Sequence, residues 1–245
     1  MPTDLAAQSE TIVLGGIPWD TYQRILEAIG EYHLRHTYDQ GMLEMWRVLH
    51  GVSWEDYQKL LDAMADITFP HTYDRGTLEM MSPRKDHDWI KGLIGRMIEA
   101  MCFTLDIPIQ TVGSTTLGAA AAERGLQPDE AYYVANEPEV RGKDTYTPDV
   151  DPPPDLAVEV DVTSNSLGRL PIYAAIGVPE IWRHDADQLR FHALTPDGEY
   201  REIERSLAFP FVSPADVQRC LDRRTEMGEN AIVRLFVEWA EQAAN

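Results

Sequence analysis

Residues Asp155 to Val162 read Asp-Leu-Ala-Val-Glu-Val-Asp-Val and alternate without a break. In an extended chain, successive side chains point to opposite faces. Leu156, Val158, Val160 and Val162 therefore share one face, and Asp155, Ala157, Glu159 and Asp161 share the other. The apolar face demands a core. Downstream, Pro171 to Ile176 read as a helix and Glu180-Ile181-Trp182 as a second strand, which predicts a strand–helix–strand crossover. Crossovers of this kind join parallel strands and put the first strand inside a sheet. Three carboxylates on the far side of a core strand would repel one another, and a buried carboxylate is costly unless paired or metal-bound. The acids therefore either form a cluster that holds a metal ion, or lie on an edge strand and face water.

The flanking segments supply the rest of a mixed sheet. From His87, the apolar residues Ile90, Leu93, Ile94, Met97, Ile98, Met101 and Leu105 recur at steps of three and four, which predicts an amphipathic helix. Ile107 to Leu117 reads as a strand or hairpin. Pro128-Asp129 is a turn that delivers Asp129 to the start of the aromatic strand Ala131–Val134. Residues 135–154 read as loop, ending in three prolines that cannot donate to a ladder and so mark a strand boundary. Gln188–Leu194 and Tyr200–Ile203 flank Pro196-Asp197-Gly198 as a hairpin. Ser213-Pro214 opens a helix with Ser at the cap and Pro at the first position, and Ala231–Ala243 forms another. The fold class is α/β with a mixed sheet.

The front of the chain is duplicated. Residues 16–45 and 51–80 align without gaps, and fourteen of 30 positions are identical, including Trp19/Trp54, Tyr22/Tyr57 and the block His-Thr-Tyr-Asp at 36–39 and 71–74. Two copies are too few to bury a solenoid core. Each copy predicts a helix with an acidic or Ser cap, then a short β-hairpin. Only the second copy runs on into Ser82-Pro83 and the next helix, so only its Glu79 lies beside the start of that helix. The spare copy offers packing area, or an isologous contact in a homodimer. The expected organisation is an extra repeat copy at 1–50, a core at 51–210 and a helical extension at 211–245.

Charge narrows the function. The 245 residues carry 21 Lys+Arg against 41 Asp+Glu, a formal charge of −20. A chain this acidic lacks the broad basic face from which most nucleic-acid affinity comes. It can still meet phosphates through a divalent cation or a local basic strip. The stretch 84–104, with Arg84, Lys85, Lys91 and Arg96 against three acids, is one of the few that are not negative; it is a phosphate contact or simply a solvated helix face. Residues 120–161 hold eleven acids against three basic residues. Oxygen ligands at that density suit Mg2+ or Mn2+ better than zinc, which prefers His and Cys. Cys102 and Cys220 stand alone, so reduced thiols in the cytoplasm are expected, and no apolar run is long enough for a membrane span.

Taken in order, Leu78-Glu79-Met80-Met81-Ser82-Pro83 with His87, Pro128-Asp129, Pro154-Asp155-Leu-Ala-Val-Glu159-Val, and Tyr173-Ala-Ala-Ile-Gly177-Val178-Pro179-Glu180-Ile-Trp182 resemble the Uma-two family, a branch of the PD-(D/E)XK nucleases. The resemblance spans roughly Ser53 to Leu194. It implies a restriction-endonuclease-like core and a metal-dependent endonuclease with nucleic acid as substrate, DNA favoured over RNA. It implies Asp129 and Glu159 as metal-binding acids. The superfamily lysine would fall two residues after Glu159, where Asp161 stands; the family's basic residue, at the start of the crossover helix, is here Arg169. Arginine does not deprotonate at usable pH, so Arg169 can stabilise phosphoryl charge or orient water but cannot be a general base. Glu79, His87, Asp155 and Asp161 are further site-lining candidates, with capping or docking roles equally open for Glu79 and His87. A nuclease fold that has lost catalysis and serves protein contact is the competing reading.

Overall fold

The structure is a computed structural model of the chain that describes residues 11–29, 36–40, 42–65, 69–80, 85–113, 115–143, 146–147, 150–161, 168–185 and 188–244. The chain divides into two units, residues 1–82 with 121–123, and residues 83–120 with 124–245.

The first unit contains the repeat. One copy is β1 (Thr11–Leu14), α1 (Trp19–Ile29), β2 (His36–Asp39) and β3 (Met42–Trp46); the other is β4 (Val48–His50), α2 (Trp54–Ala63), β5 (His71–Asp74) and β6 (Thr77–Met80). Strand β1 pairs with β3 through Val13↔Glu44 and Leu14↔Leu43, and β4 pairs with β6 through Val48↔Glu79 and Leu49↔Leu78. The same offset of 35 relates both registers. The duplicated module is thus strand–helix–hairpin, one strand longer than the helix and hairpin read from residues 16–45 and 51–80, and Val13/Val48 and Leu14/Leu49 are identical at that offset. Ser53 caps α2: its Oγ accepts the Asp56 N–H at 3.1 Å and donates to Asp56 Oδ2.

Each copy is held by the same aromatic triad. Tyr22 stacks on Tyr38 and Tyr57 on Tyr73, both at 4.4 Å, with Trp19 and Trp54 tilted against them. In the second copy His71 is buried; its Nδ1 donates to the Phe69 carbonyl at 3.0 Å, which leaves Nε2 to accept the Tyr57 hydroxyl. His71 is a packing residue. The side chain of its counterpart His36 lies outside the described residues.

The second unit holds α3 (Lys85–Thr104), β7 (Gln110–Thr111), β8 (Leu117–Ala119), β9 (Arg124–Leu126), β10 (Glu130–Tyr133), α4 (Glu137–Val140), β11 (Leu156–Asp161), α5 (Leu170–Ile176), β12 (Glu180–Asp185), β13 (Gln188–Leu194), β14 (Tyr200–Ile203), α6 (Pro214–Leu221) and α7 (Glu229–Ala243). A six-stranded sheet runs β14-β13-β12-β11-β10-β7, parallel only between β11 and β12. The crossover read from the sequence therefore places β11 inside the sheet. Leu156, Val158 and Val160 enter a core shared with α3, α6 and α7, while Ala157 packs on the opposite face with Ile172 and Tyr173 of α5. Helix α3 sits so close that a Cβ on Gly95 would lie 3.0 Å from the Tyr132 hydroxyl.

Local details depart from the sequence reading for local reasons. Ile107–Leu117 is not one strand. The chain turns at Asp106 and Gly113, both with positive φ, leaving two residues in β7 and beginning a separate β8–β9 hairpin. The loop 135–154 contains the single helical turn α4. Among the described residues, no helix is long and apolar enough to cross a membrane.

Candidate active site

Paired residues of neighbouring strands share a sheet face. Strand β10 pairs with β11 through Glu130↔Val158 and Ala131↔Ala157. Continuing that register by one residue sets Asp129 opposite Glu159, on the face covered by α5. Both are buried, at 8 % and 4 % exposure. Asp129 Oδ2 accepts the Val160 N–H at 2.8 Å, fixing the turn that precedes β10 against the far end of β11. Lys91, from α3, donates to the Asp129 carbonyl at 3.3 Å.

Glu159 is held from α5. Arg169, the residue before the helix, donates through Nη2 to Glu159 Oε1 at 2.9 Å and to the Gln127 carbonyl. Tyr173, one turn later, donates its hydroxyl to the same Oε1. Arg169 is itself only 8 % exposed. Burial alone would favour losing its proton, but Glu159, then Tyr173 and Asp129, more than offset this and hold the guanidinium charged. Burial first and Glu159 second push the Tyr173 hydroxyl well above its ordinary value, so it stays a donor. The result is a buried guanidinium set against the Glu159 and Asp129 carboxylates, between β10, β11 and the start of α5.

This donor set fits a hard divalent cation. Mg2+ is commonly bound through one or two carboxylates and completes its shell with water and phosphate oxygens. Among the described residues there is no group of three or more His, Cys, Asp or Glu suited to a metal. Among the described residues, Asp129 and Glu159 are the candidate ligand pair.

Of the other sequence candidates, Asp155 is engaged by the loop after β10, Glu79 belongs to the first unit, and the side chains of Asp161 and His87 lie outside the described residues. Asp155 accepts three hydrogen bonds, from the Val134 and Asn136 N–H groups and from Asn136 Nδ2, at 2.7 to 2.9 Å. It anchors the loop after β10, four residues or about 13 Å along the strand from Glu159. Glu79 lies in the first unit, where it is 1 % exposed and pairs with Arg47 at 2.9 Å. Asp161 ends β11 and His87 lies in α3, but their side chains lie outside the described residues. Arg84, at the head of the basic stretch, is also outside them, and Arg96 is engaged by Glu229 and Asn230 at the start of α7.

Three contributors escaped the sequence reading. Tyr173 could have been found, since it follows Arg169 by four residues and so shares its helix face. Lys91 was visible only as a basic residue, without its reach to Asp129. Gln127 contributes a carbonyl, which leaves no side-chain signal.

None of the curated proteins matches the chain. A family model, Uma2, described as a putative restriction endonuclease, matches residues 54–221. That span starts with α2, excludes the first repeat copy, and contains Asp129, Glu159, Arg169 and the sheet that carries them. It covers well over half of the 245 residues. The mixed α/β core is accordingly of the restriction-endonuclease-like kind, and the chain belongs to the Uma2 family.

Proposed function

We propose that the protein is a metal-dependent endonuclease that hydrolyses phosphodiester bonds of nucleic acid, DNA in preference to RNA, with Mg2+ or Mn2+ held by Asp129 and Glu159. The observation that carries this reading is the pair of buried carboxylates, register-opposed on one sheet face, in a chain of a nuclease-described family. When bound, the ion would polarise the scissile phosphate and lower the pKa of a coordinated water.

The chain's own residues prepare the site. The Val160 N–H orients Asp129, and Tyr173 with Arg169 orients Glu159, so neither carboxylate has to be ordered when substrate arrives. Arg169, held charged by Glu159, would oppose negative charge developing on phosphoryl oxygens. It cannot accept the water's proton. Excess negative charge elsewhere keeps nucleic acid from binding broadly, leaving productive contact to the site.

The test is Mn2+ calorimetry together with cleavage of a supercoiled plasmid, on the natural protein and on Glu159→Gln. Glutamine keeps an acceptor for Arg169 and Tyr173, so folding is preserved. Metal binding and Mg2+-dependent cleavage that are both lost in the variant support the reading. Cleavage undiminished by chelator, or no Mn2+ heat in the natural protein, overturns it.

One observation favours a second reading. The Arg169 guanidinium already neutralises Glu159 within the buried site. A fold whose carboxylate is satisfied this way has no need of a cation, and would serve as a protein-interaction module without catalysis. It predicts no Mn2+ binding by either protein.

A further inference from the structure

The sheet face that carries Asp129 and Glu159 continues beyond them. In the parallel β11–β12 ladder Glu159 pairs with Arg183, and in the antiparallel β12–β13 ladder Arg183 pairs with Arg190. Neighbouring residues fix the facing. Ile181, two before Arg183, is buried with the α5 cluster, whereas Trp182 and Phe191 stack at 4.2 Å on the α3 side. Asp129, Glu159, Arg183 and Arg190 therefore form one row across the sheet, two acids followed by two cations. Strands lie about 4.8 Å apart, so the arginines stand about 5 and about 10 Å to the side of Glu159.

Solvent reaches both arginines. Their side chains are 34 % and 40 % exposed for Arg183 and Arg190 respectively. Arg183 approaches Asp185 at 3.5 Å; Arg190 approaches Glu202 at 4.0 Å and donates to Gln188 Oε1 at 2.6 Å. Exposed pairs of this kind are weak and readily exchanged. Both guanidiniums also act on His192, on the same face; burial first, and then these two charges, hold it below its ordinary value against Glu202. Phosphodiester oxygens can give an exposed guanidinium a planar, bidentate partner.

We propose that Arg183 and Arg190 are the track that seats the nucleic-acid backbone beside the cleaved bond, each taking a phosphate that flanks the one over Asp129 and Glu159. This rests on the nuclease reading above and adds to it the direction of the strand: across β12 and β13, away from β10. The charge of −20 then matters less than this local order of charges, because the cations lie beside the acid pair on the same sheet face.

The test is fluorescence anisotropy with a short labelled DNA duplex, in chelator so that no cleavage intervenes, across a salt series. The proteins are the natural chain, Arg183→Gln/Arg190→Gln, and Arg219→Gln/Arg223→Gln. The last removes the same charge from α6 and the turn after it. Each neutralised duplex phosphate contributes about 0.9 to the slope of log affinity against log salt. The first double variant is expected to lose about 1.8 from that slope and roughly tenfold or more in affinity at low salt, while the control stays within about twofold and both bind Mn2+ as the natural protein does. Undiminished affinity and slope in Arg183→Gln/Arg190→Gln, or an equal fall in the control, overturn the track and leave the nuclease reading standing. If the natural protein binds no DNA with or without Mn2+, both fall.

Discussion

Asp129 Oδ2 accepts the Val160 backbone N–H at 2.8 Å, one residue beyond Glu159. The bond holds the Asp129 carboxylate to the strand that carries the second acid, so one side chain has both a scaffold duty and a candidate metal duty. Two substitutions separate them. Asp129→Ala strands a buried N–H, which costs about 1–3 kcal/mol. Asp129→Asn can still offer a carbonyl oxygen to that N–H, and should stay within about 1 kcal/mol of the natural protein. It nonetheless removes one of two ligand charges, so Mn2+ affinity should fall about tenfold or more. Urea denaturation and calorimetry on both variants check this. Equal destabilisation by the two would show that the Val160 bond is not what Asp129 contributes.

Tyr173→Phe keeps the ring buried against Ala157 and Ile172 but removes the hydroxyl that reaches Glu159 Oε1. One net hydrogen bond to a charged group is worth about 1.5–3 kcal/mol, and Arg169 remains on the same oxygen, so the loss should sit at the low end. Because Glu159 then loses one of the donors that position it, cleavage should drop about tenfold with little change in KM. A loss confined to KM would assign Tyr173 to substrate binding instead of to positioning Glu159.

How far these arrangements were legible in the sequence depends on the kind of signal each leaves. The interior position of β11 was readable because alternation and a crossover are periodic, short-range patterns. The Asp129–Glu159 pairing was readable only through family resemblance, since nothing in spacing says that residue 129 lies opposite 159. Burial of the acid face by α5 was not legible: Ala157 is the one apolar residue on that face, and Ile172 and Tyr173 reach it through tertiary packing. Asp155 shows the limit of periodicity. It lies in phase with Glu159, yet its carboxylate turns to Val134 and Asn136, because loop N–H groups left without strand partners need an acceptor. Likewise, Arg183 and Arg190 are seven residues apart in sequence, and only the β12–β13 hairpin register makes them neighbours.

Glu180, in the Gly-Val-Pro-Glu stretch that resembles the family, is fully buried and accepts four hydrogen bonds. Trp182 Nε1 reaches Oε1 at 2.8 Å, while Ser206 Oγ and the Leu207 and Ala208 N–H groups reach Oε2 at 2.8 to 3.1 Å. The carboxylate ties the start of β12 to the turn after β14. Glu180→Ala strands four donors and opens a cavity, and should cost about 3–5 kcal/mol, a large share of the stability of a domain this size. Intact Mn2+ binding in whatever fraction remains folded would separate this scaffold role from the site. A loss below about 1 kcal/mol in urea titration would mean that water replaces the lost acceptor.

Glu130 should make the protein's stability depend on pH. Burial pushes its carboxyl above the ordinary value of 4.5, Glu99 and Asp129 push the same way, and only Lys91 opposes them. A raised value in the folded state means that the folded chain binds this proton more tightly than the unfolded chain. The contribution is therefore complete below pH 4.5 and is lost as pH climbs through the raised value. Glu130→Gln cannot charge, so its melting temperature relative to the natural protein should rise between mildly acidic and neutral pH. Lys91→Met removes the one opposing cation, so its melting temperature should fall more steeply than that of the natural protein over the same interval. Melting curves that run parallel across the interval for all three proteins would show that Glu130 is solvated well enough to ionise without cost.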